Sequence, residues 1–252
     1  MSRNAVGRLT VADLSKRAGR LVAELAPGAA DRERHRELPY AQIRRIADER
    51  LFTFRVPRAY GGPGSTVAEL FQFVVDLSAA DSNIAQALRP GFLTVESLIA
   101  GIARNALTDA VAFARERARP IVHAAAKRST DDLYVQHAVG EISARAFAAE
   151  AAVLRAAGSI DRALAVGGGE AQLTVAAVDV AQAQFFAAEA ALRCGELIFD
   201  VGGASATLRE HNLDRHWRNA RTVANHNPRA YKAGVVGSYL LNGTEPPAGG
   251  LF

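Results

Sequence analysis

Residues 158–178 read GSIDRALAVGGGEAQLTVAAV, and this stretch decides the fold. Three consecutive glycines, Gly167, Gly168 and Gly169, stand between two long alanine-rich runs. One run covers about 131–165 and the other about 170–200, and both keep apolar residues at helical spacing. The triplet supplies a helix stop and a tight turn. So short a connection predicts two long helices that lie antiparallel. No strand signal precedes the glycines and no Lys-Ser/Thr follows them, so they form a turn and not a phosphate cradle.

The same periodicity continues outward. A helix is expected over 10–26, with Thr10 as its cap and Pro27-Gly28 as its end, and another starts at Pro39. The loop RVPRAYGGPGS (55–65) separates these from a helix over 66–79 and a short one, SNIAQAL, capped by Asp81. Pro90-Gly91 interrupts the pattern, and a helix over about 94–117 follows. Gly202-Gly203 ends the second long helix. A further helix is expected near 206–225, and Pro228 starts a last one through Leu241. Only TFRV (53–56) could be a strand. The reading is all-α, with two clusters of helices meeting near residues 90–97: an N-terminal helical domain over 1–95 and a C-terminal up-down four-helix bundle over 96–252.

At 252 residues the chain can bury a sizeable core. Apolar residues make up 49% and charged residues 22%, an ordinary balance for a globular protein. No uninterrupted apolar run reaches the length of a membrane span, and the first residues carry no apolar signal core. The lone Cys194 rules out an internal disulfide. Together these lead to the expectation of a cytoplasmic protein without a membrane partner.

The net charge is +4, and residues 209–232 hold six basic side chains against two acidic ones, which equals the whole surplus. A basic face interleaved with aromatics would suit nucleic acid; a single local concentration does not, so no nucleic-acid partner is expected. The concentration surrounds HWRNARTVANHNP (216–228), which itself holds Arg218 and Arg221. Arg215, Arg218 and Arg221 repeat every three residues and drift around one side of a helix. They could form an anion site or pair with acidic neighbours such as Glu210 and Asp214, and ion pairing is the preferred reading. Trp217 reads as an interface or core anchor. His211, His216 and His226 lack the i, i+4 spacing of a helical metal pair, so no metal site is expected. Cys194, on an apolar helix face, reads as a small buried hydrophobe.

Several words resemble one superfamily. RVPRAYGG (55–62) resembles the VP-x-x-YGG loop in the N-terminal helical domain of the acyl-CoA dehydrogenases. DLSAADSNIAQAL (76–88) resembles the helix after it, and GIARNALTDAVAFARERARP (101–120) the first helix of their C-terminal domain. FDVGGASAT (199–207) and LDRHWRNARTVANHNP (213–228) are more particular, and resemble the branch of dibenzothiophene monooxygenase and related sulfone-handling flavin monooxygenases. That family carries a β-barrel between its two helical domains. Here QALRPGFLTVE (86–96) reads as N-domain sequence and SLIAGIARNAL (97–107) directly as C-domain sequence, so the barrel is expected to be absent.

The resemblance implies a flavin, FMN or FAD, and assigns roles to particular residues. Gly202 and Gly203 match a GG turn at the cofactor, where a missing Cβ lets backbone come close; a plain helix stop explains them equally well. Arg117 stands where the family has an arginine reaching the flavin phosphate of a partner subunit, a task suited to a guanidinium fork. Read without the family, it is a surface arginine at a helix end. Arg218 belongs to the same cofactor-side segment. His226 occupies the neighbourhood of the dehydrogenases' catalytic glutamate. No carboxylate stands in ANHNP, which argues against proton abstraction from an acyl thioester and for a monooxygenase, with His226 handling protons near the flavin. In its bland reading His226 is a polar residue before Pro228. Gly91 stands where the monooxygenase branch usually has a second histidine.

Two functions follow. One is a flavin-dependent oxidoreductase resembling the two-component FMN monooxygenases, supplied by a separate flavin reductase and acting on an organosulfur or aromatic small molecule, as a homodimer or homotetramer. The other is a catalytically inactive helical remnant of that family which keeps its oligomer contacts.

Overall fold

The computed structural model describes residues 9–92, 95–226 and 228–247, with backbone alone for 89–92. Among the described residues the chain is all-α, with ten helices, short 3₁₀ turns and no strand. The N-terminal part holds α1 (Val11–Leu25), α2 (Ala29–Arg34), α3 (Tyr40–Asp48), α4 (Val67–Ala80) and α5 (Ser82–Phe92). The C-terminal part holds α6 (Val95–Glu116), α7 (Leu133–Ala165), α8 (Glu170–Gly202), α9 (Arg215–His226) and α10 (Arg229–Asn242). The step from α5 to α6 passes through residues 93 and 94, so no barrel fits between the two parts. Gly91 lies in the last turn of α5; its surroundings are outside the described side chains.

The glycine triplet works as its sequence suggests. Gly167 and Gly168 have φ of +86° and +72°, a region where a Cβ is strained. The Gly168 N–H donates back to the Ala163 carbonyl at 2.8 Å, closing the end of α7 and turning the chain into antiparallel α8. Helix starts follow their caps. Thr10 Oγ1 accepts from the Asp13 N–H at 3.1 Å, and the Asp13 carboxylate accepts from the Thr10 N–H at 3.2 Å. Thr66 and Glu69 repeat this box on α4. There Asp161, reaching over from α7, also accepts from the Val67 and Ala68 N–H groups at 2.7 and 3.0 Å.

α8 is the axle of the bundle, flanked by α6, α7, α9 and α10. Its length and mean hydropathy of 1.2 would let it cross a membrane, but over half of that apolar window is buried inside the protein, so it serves as the central core helix. α4 of the N-terminal part packs on α6 and α7, and one continuous core runs from Leu9 to Ala224. The α4–α6 crossing is close. Ser78 Oγ donates to the Leu98 carbonyl at 2.6 Å, and a Cβ on Gly101 would stand 2.4 Å from Ser78 Cβ and 2.5 Å from the Val75 carbonyl oxygen.

Four expectations give way. TFRV is not a strand: Arg50, at φ +62°, starts a 3₁₀ turn over Leu51–Thr53, and Leu51 and Phe54 are buried three residues apart as one helical face. α2 was not foreseen, since none of its six residues is fully buried and it shows no apolar face. The backbone of α5 continues through Pro90 to Phe92, so the proline, two residues before the helix end, does not stop it. The helix expected from 206 begins only at Arg215; a 3₁₀ turn over Gly203–Thr207 and the left-handed Asn212, at φ +50°, break the chain before it.

Candidate functional site

The C-terminal end of α6, residues 210–215 and Ala30 of α2 enclose a cleft of about 210 Å³. Asp109, Phe113 and Glu116 come from α6 and Arg117 from the turn directly after it, while Glu210 and His211 come from the approach to α9 and Arg215 from its first residue. His211 packs edge-on against Phe113, with ring centroids 5.0 Å apart at 76°. Arg117 stands exposed at the rim.

Beneath the cleft lies a buried polar knot. Asp109 Oδ2 accepts from the Arg215 guanidinium and lies 2.9 Å from His216 Nε2. Arg215 also donates to the Asn212 carbonyl at 3.0 Å. The side chains of Arg215 and His216 are only 9% and 3% exposed, so this carboxylate is the counter-charge that makes their burial tolerable. Burial works against charge on both acid and base. For His216 it dominates, and with the adjacent Arg215 charge it holds the imidazole below its ordinary range despite Asp109. Asp109 meets the same burial penalty, but its bonds to His216 and the charge of Arg215 outweigh it and hold the carboxyl below its usual range.

The rest of the polar cluster joins the two halves of the chain. Arg218 donates to Glu33 of α2 at 2.8 Å, to Asp214 at 2.8 Å and to Asn212 at 2.9 Å. Asn219 donates to Ser82 Oγ at 2.9 Å, Asn212 to the Ala30 carbonyl at 3.1 Å, and Arg34 to the Glu210 carbonyl at 3.0 Å. The ion-paired reading of Arg215 and Arg218 therefore describes their geometry, while Arg221 stays exposed. Trp217 is half-exposed, and its backbone presses on α8 at Gly195, where a Cβ would come 2.7 Å from the Trp217 nitrogen.

The residues singled out from sequence are not brought together at one point. Gly202 is a packing glycine, since a Cβ there would stand 2.6 Å from both Ala206 Cβ and the Phe113 ring. Gly203 is open: nothing lies within 4 Å of where a Cβ would be, and its φ is +59°. His226 is exposed at the last residue of α9. Cys194 is buried, and that burial pushes its thiol up to about 12. Asp109, Phe113 and His211 were missed. Asp109 reads as one more helix-surface carboxylate in ALTDAVAF, and its partners lie more than a hundred residues away.

The profile described as Acyl-CoA dehydrogenase, C-terminal domain, matches residues 93–229, and that described as Acyl-CoA dehydrogenase, N-terminal domain, matches residues 13–101. The chain belongs to the acyl-CoA dehydrogenase family. The two matches overlap over 93–101, which leaves no residues for a domain between them. Within the family the chain falls beside flavin monooxygenases. It is 35% identical over 164 residues to the dibenzothiophene monooxygenase of Mycolicibacterium goodii, covering 62% of this chain and 38% of that protein. To a probable FMNH2-dependent monooxygenase of Pseudomonas putida it is 32% identical, covering 64% and 42%. The match thus spans about two fifths of the length of these relatives. The fold is shared with methanesulfinate monooxygenase from Pseudomonas fluorescens, at a TM-score of 0.86 and 19% identity over 94% of this chain and 99% of that one. It is shared equally with the FMN-bound dibenzothiophene monooxygenase of Paenibacillus sp. A11-2, at 0.83 and 18% over 94% and 100%.

Proposed function

We propose that the chain is a flavin-dependent oxidoreductase of the two-component FMN monooxygenase type. It would receive reduced FMN, or FAD, from a separate flavin reductase and act on an organosulfur or aromatic small molecule. The observation that carries this reading is the identity of about a third to named monooxygenases. It is supported by ANHNP, where the acyl-CoA dehydrogenase carboxylate is replaced and His226 is left for proton handling.

The described residues fit one end of such a cofactor. Arg117 at the cleft rim offers a guanidinium fork of the kind that suits a phosphate, and Gly203 separately offers open backbone. Arg218 is spent on Glu33, Asp214 and Asn212. The cleft of about 210 Å³ is smaller than the roughly 300–1,000 Å³ of ordinary ligand sites. The proposal includes a homodimer or homotetramer in which a second copy closes the site. A bound reduced flavin supplies the electrons that activate dioxygen; this chain's part is to hold the phosphate through Arg117 and present a proton-carrying imidazole at His226.

Titrating FMN and FAD into the purified protein, with Trp217 emission and sedimentation velocity as readouts, tests this. Saturable quenching with a rise in assembly mass is expected, and Arg117→Ala should weaken it at least tenfold. Absence of saturable binding would sink the cofactor reading. It would favour the alternative, an inactive oligomerising remnant, which the direct α5–α6 connection supports.

A further inference from the structure

α2 is held unlike the other helices. None of its six residues is fully buried, and among the described residues it packs closely on no other helix. The chain enters it through Gly28 at φ +80° and leaves it by way of Arg36 at φ +55°. A left-handed residue at each end turns the backbone sharply, so α2 forms a short strap between α1 and α3.

Two sets of bonds hold the strap. The first ties it to its own half. Arg32 donates twice to Asp81 Oδ2, at 3.0 and 2.8 Å, and once to the Pro27 carbonyl at 3.0 Å. The side chains of Arg32 and Asp81 are 17% and 3% exposed, so little water competes for this pair. The second set reaches the other half. Glu33 accepts from Arg218 at 2.8 Å, Arg34 donates to the Glu210 carbonyl at 3.0 Å, and the Ala30 carbonyl accepts from Asn212 at 3.1 Å. The side chains of Arg218 and Arg34 are 46% and 35% exposed, so water and salt compete with both. The first set is a fixed pivot and the second a weak catch.

The catch stands at the edge of the cleft, where Ala30 and Glu210 are both part of the wall. The remaining walls are anchored in the bundle by Phe113, Leu213 and Arg215, all buried. Closed, the cleft holds about 210 Å³, less than the roughly 300–1,000 Å³ of ordinary ligand sites, and displacing a wall enlarges it. α2 is the wall with the weakest hold.

We infer that α2 is a lid on the cleft: it pivots on the Arg32–Asp81 pair, is caught by Arg218, Asn212 and the Glu210 carbonyl, and opens the way to Asp109 and Arg215. Shut, it keeps water from the buried knot; open, it sets what enters. The lid is a property of the chain alone and holds whether or not flavin binds.

Thiol labelling of the full-length protein with N-ethylmaleimide, a neutral reagent, tests the lid. Leu213→Cys places a thiol on the cleft wall at a residue 4% exposed. Two thiols serve as references. Cys194 lies in the bundle core, with burial pushing it up to about 12, and Ser78→Cys sits at the α4–α6 crossing between the halves. The cleft thiol should react at least tenfold faster than either. Raising salt from about 0.05 to about 1 M should speed it at least threefold, because screening loosens the catch. Glu33→Gln/Arg34→Met should speed it as much at low salt and abolish the response to salt. Ala112→Cys, also on the cleft wall, serves if Leu213→Cys fails to fold, and an unchanged Cys194 rate shows that a variant is folded. The inference is overturned if the cleft thiol reacts no faster than Ser78→Cys, or if neither salt nor the catch variant changes its rate. It is overturned equally if all three thiols speed up together, since the halves would then part as whole bodies. No flavin is present in this assay, so its outcome is independent of the cofactor titration.

Discussion

Replacing Asp109 by alanine removes the shared acceptor of Arg215 and His216. Arg215 would keep one neutral acceptor, the Asn212 carbonyl, while its side chain stays 9% exposed. Breaking a buried ion pair from one side costs about 3–5 kcal/mol, because the remaining charge has neither water nor counter-ion. Asp109 is itself about a quarter exposed, which lets some water reach the gap, so the expected loss lies near 3 kcal/mol. Urea unfolding followed by far-ultraviolet circular dichroism at pH 7.5 measures it. Asp109→Leu/Arg215→Met, which removes both charges, should recover most of the loss. The pair also predicts a pH signature. The unfolded chain protonates His216 near 6.5, whereas the folded one resists until lower pH. Between those values the unfolded state binds more protons at His216, so this residue contributes a fall of up to about 1.4 kcal/mol per pH unit as pH drops below 6.5. Buried Glu96, raised from 4.5 to about 7, contributes in the opposite sense over that range, so the signature is the difference between wild type and His216→Gln. Asp109 adds a loss further down, through its lowered folded range. His216→Gln should lose less stability than wild type as pH falls below 6.5. A loss under about 1 kcal/mol for Asp109→Ala, or a pH profile that His216→Gln leaves unchanged, would refute the reasoning.

Other expectations are simpler. Gly101→Ala forces a methyl into Ser78 and the Val75 carbonyl and should cost about 1–3 kcal/mol in the same assay; a neutral result would mean that α4 and α6 do not cross so closely. Asp161→Ala uncaps two N–H groups of α4 and should cost about 1 kcal/mol, with Asp161→Asn recovering part of it. Asn212→Ala should be worse than Asn212→Gly by about 1 kcal/mol or more, since both lose the bonds to Ala30 and Arg218 but only alanine resists φ +50°; thermal melts would show the order.

The helical architecture was legible because its signals are local. A glycine triplet between two apolar runs, Thr10 with Asp13, and Asp81 before Asn83 and Ile84 each act within a few residues. What failed were elements set by distant partners. α2 has no apolar face of its own and is held by partners distant in sequence: Asp81 through Arg32, and Arg218, Asn212 and Glu210 of the other half. The start of α9 depends on a left-handed Asn212 whose side chain is fixed by Ala30 and Arg218. The site shows the same division. His226 and Gly203 were legible as words, and their exposure was not. Gly202 looked like a place where a ligand comes near, and the close neighbour is Phe113. Asp109 carries the buried charge balance, yet nothing around it in the sequence marks it.

The bonds between α2 and the α9 segment join residues 176 to 186 positions apart, among them Arg34 to Glu210 and Asn219 to Glu33. During synthesis at about 5–20 residues per second, the first partner leaves the ribosome roughly 10–40 s before the second. For that interval Glu33 lacks Arg218 and Asn219, and Arg34 has only its local pairing with Asp31. A nascent chain stopped before residue 209 should expose this N-terminal edge to chaperones and proteases, and release past residue 219 should close it.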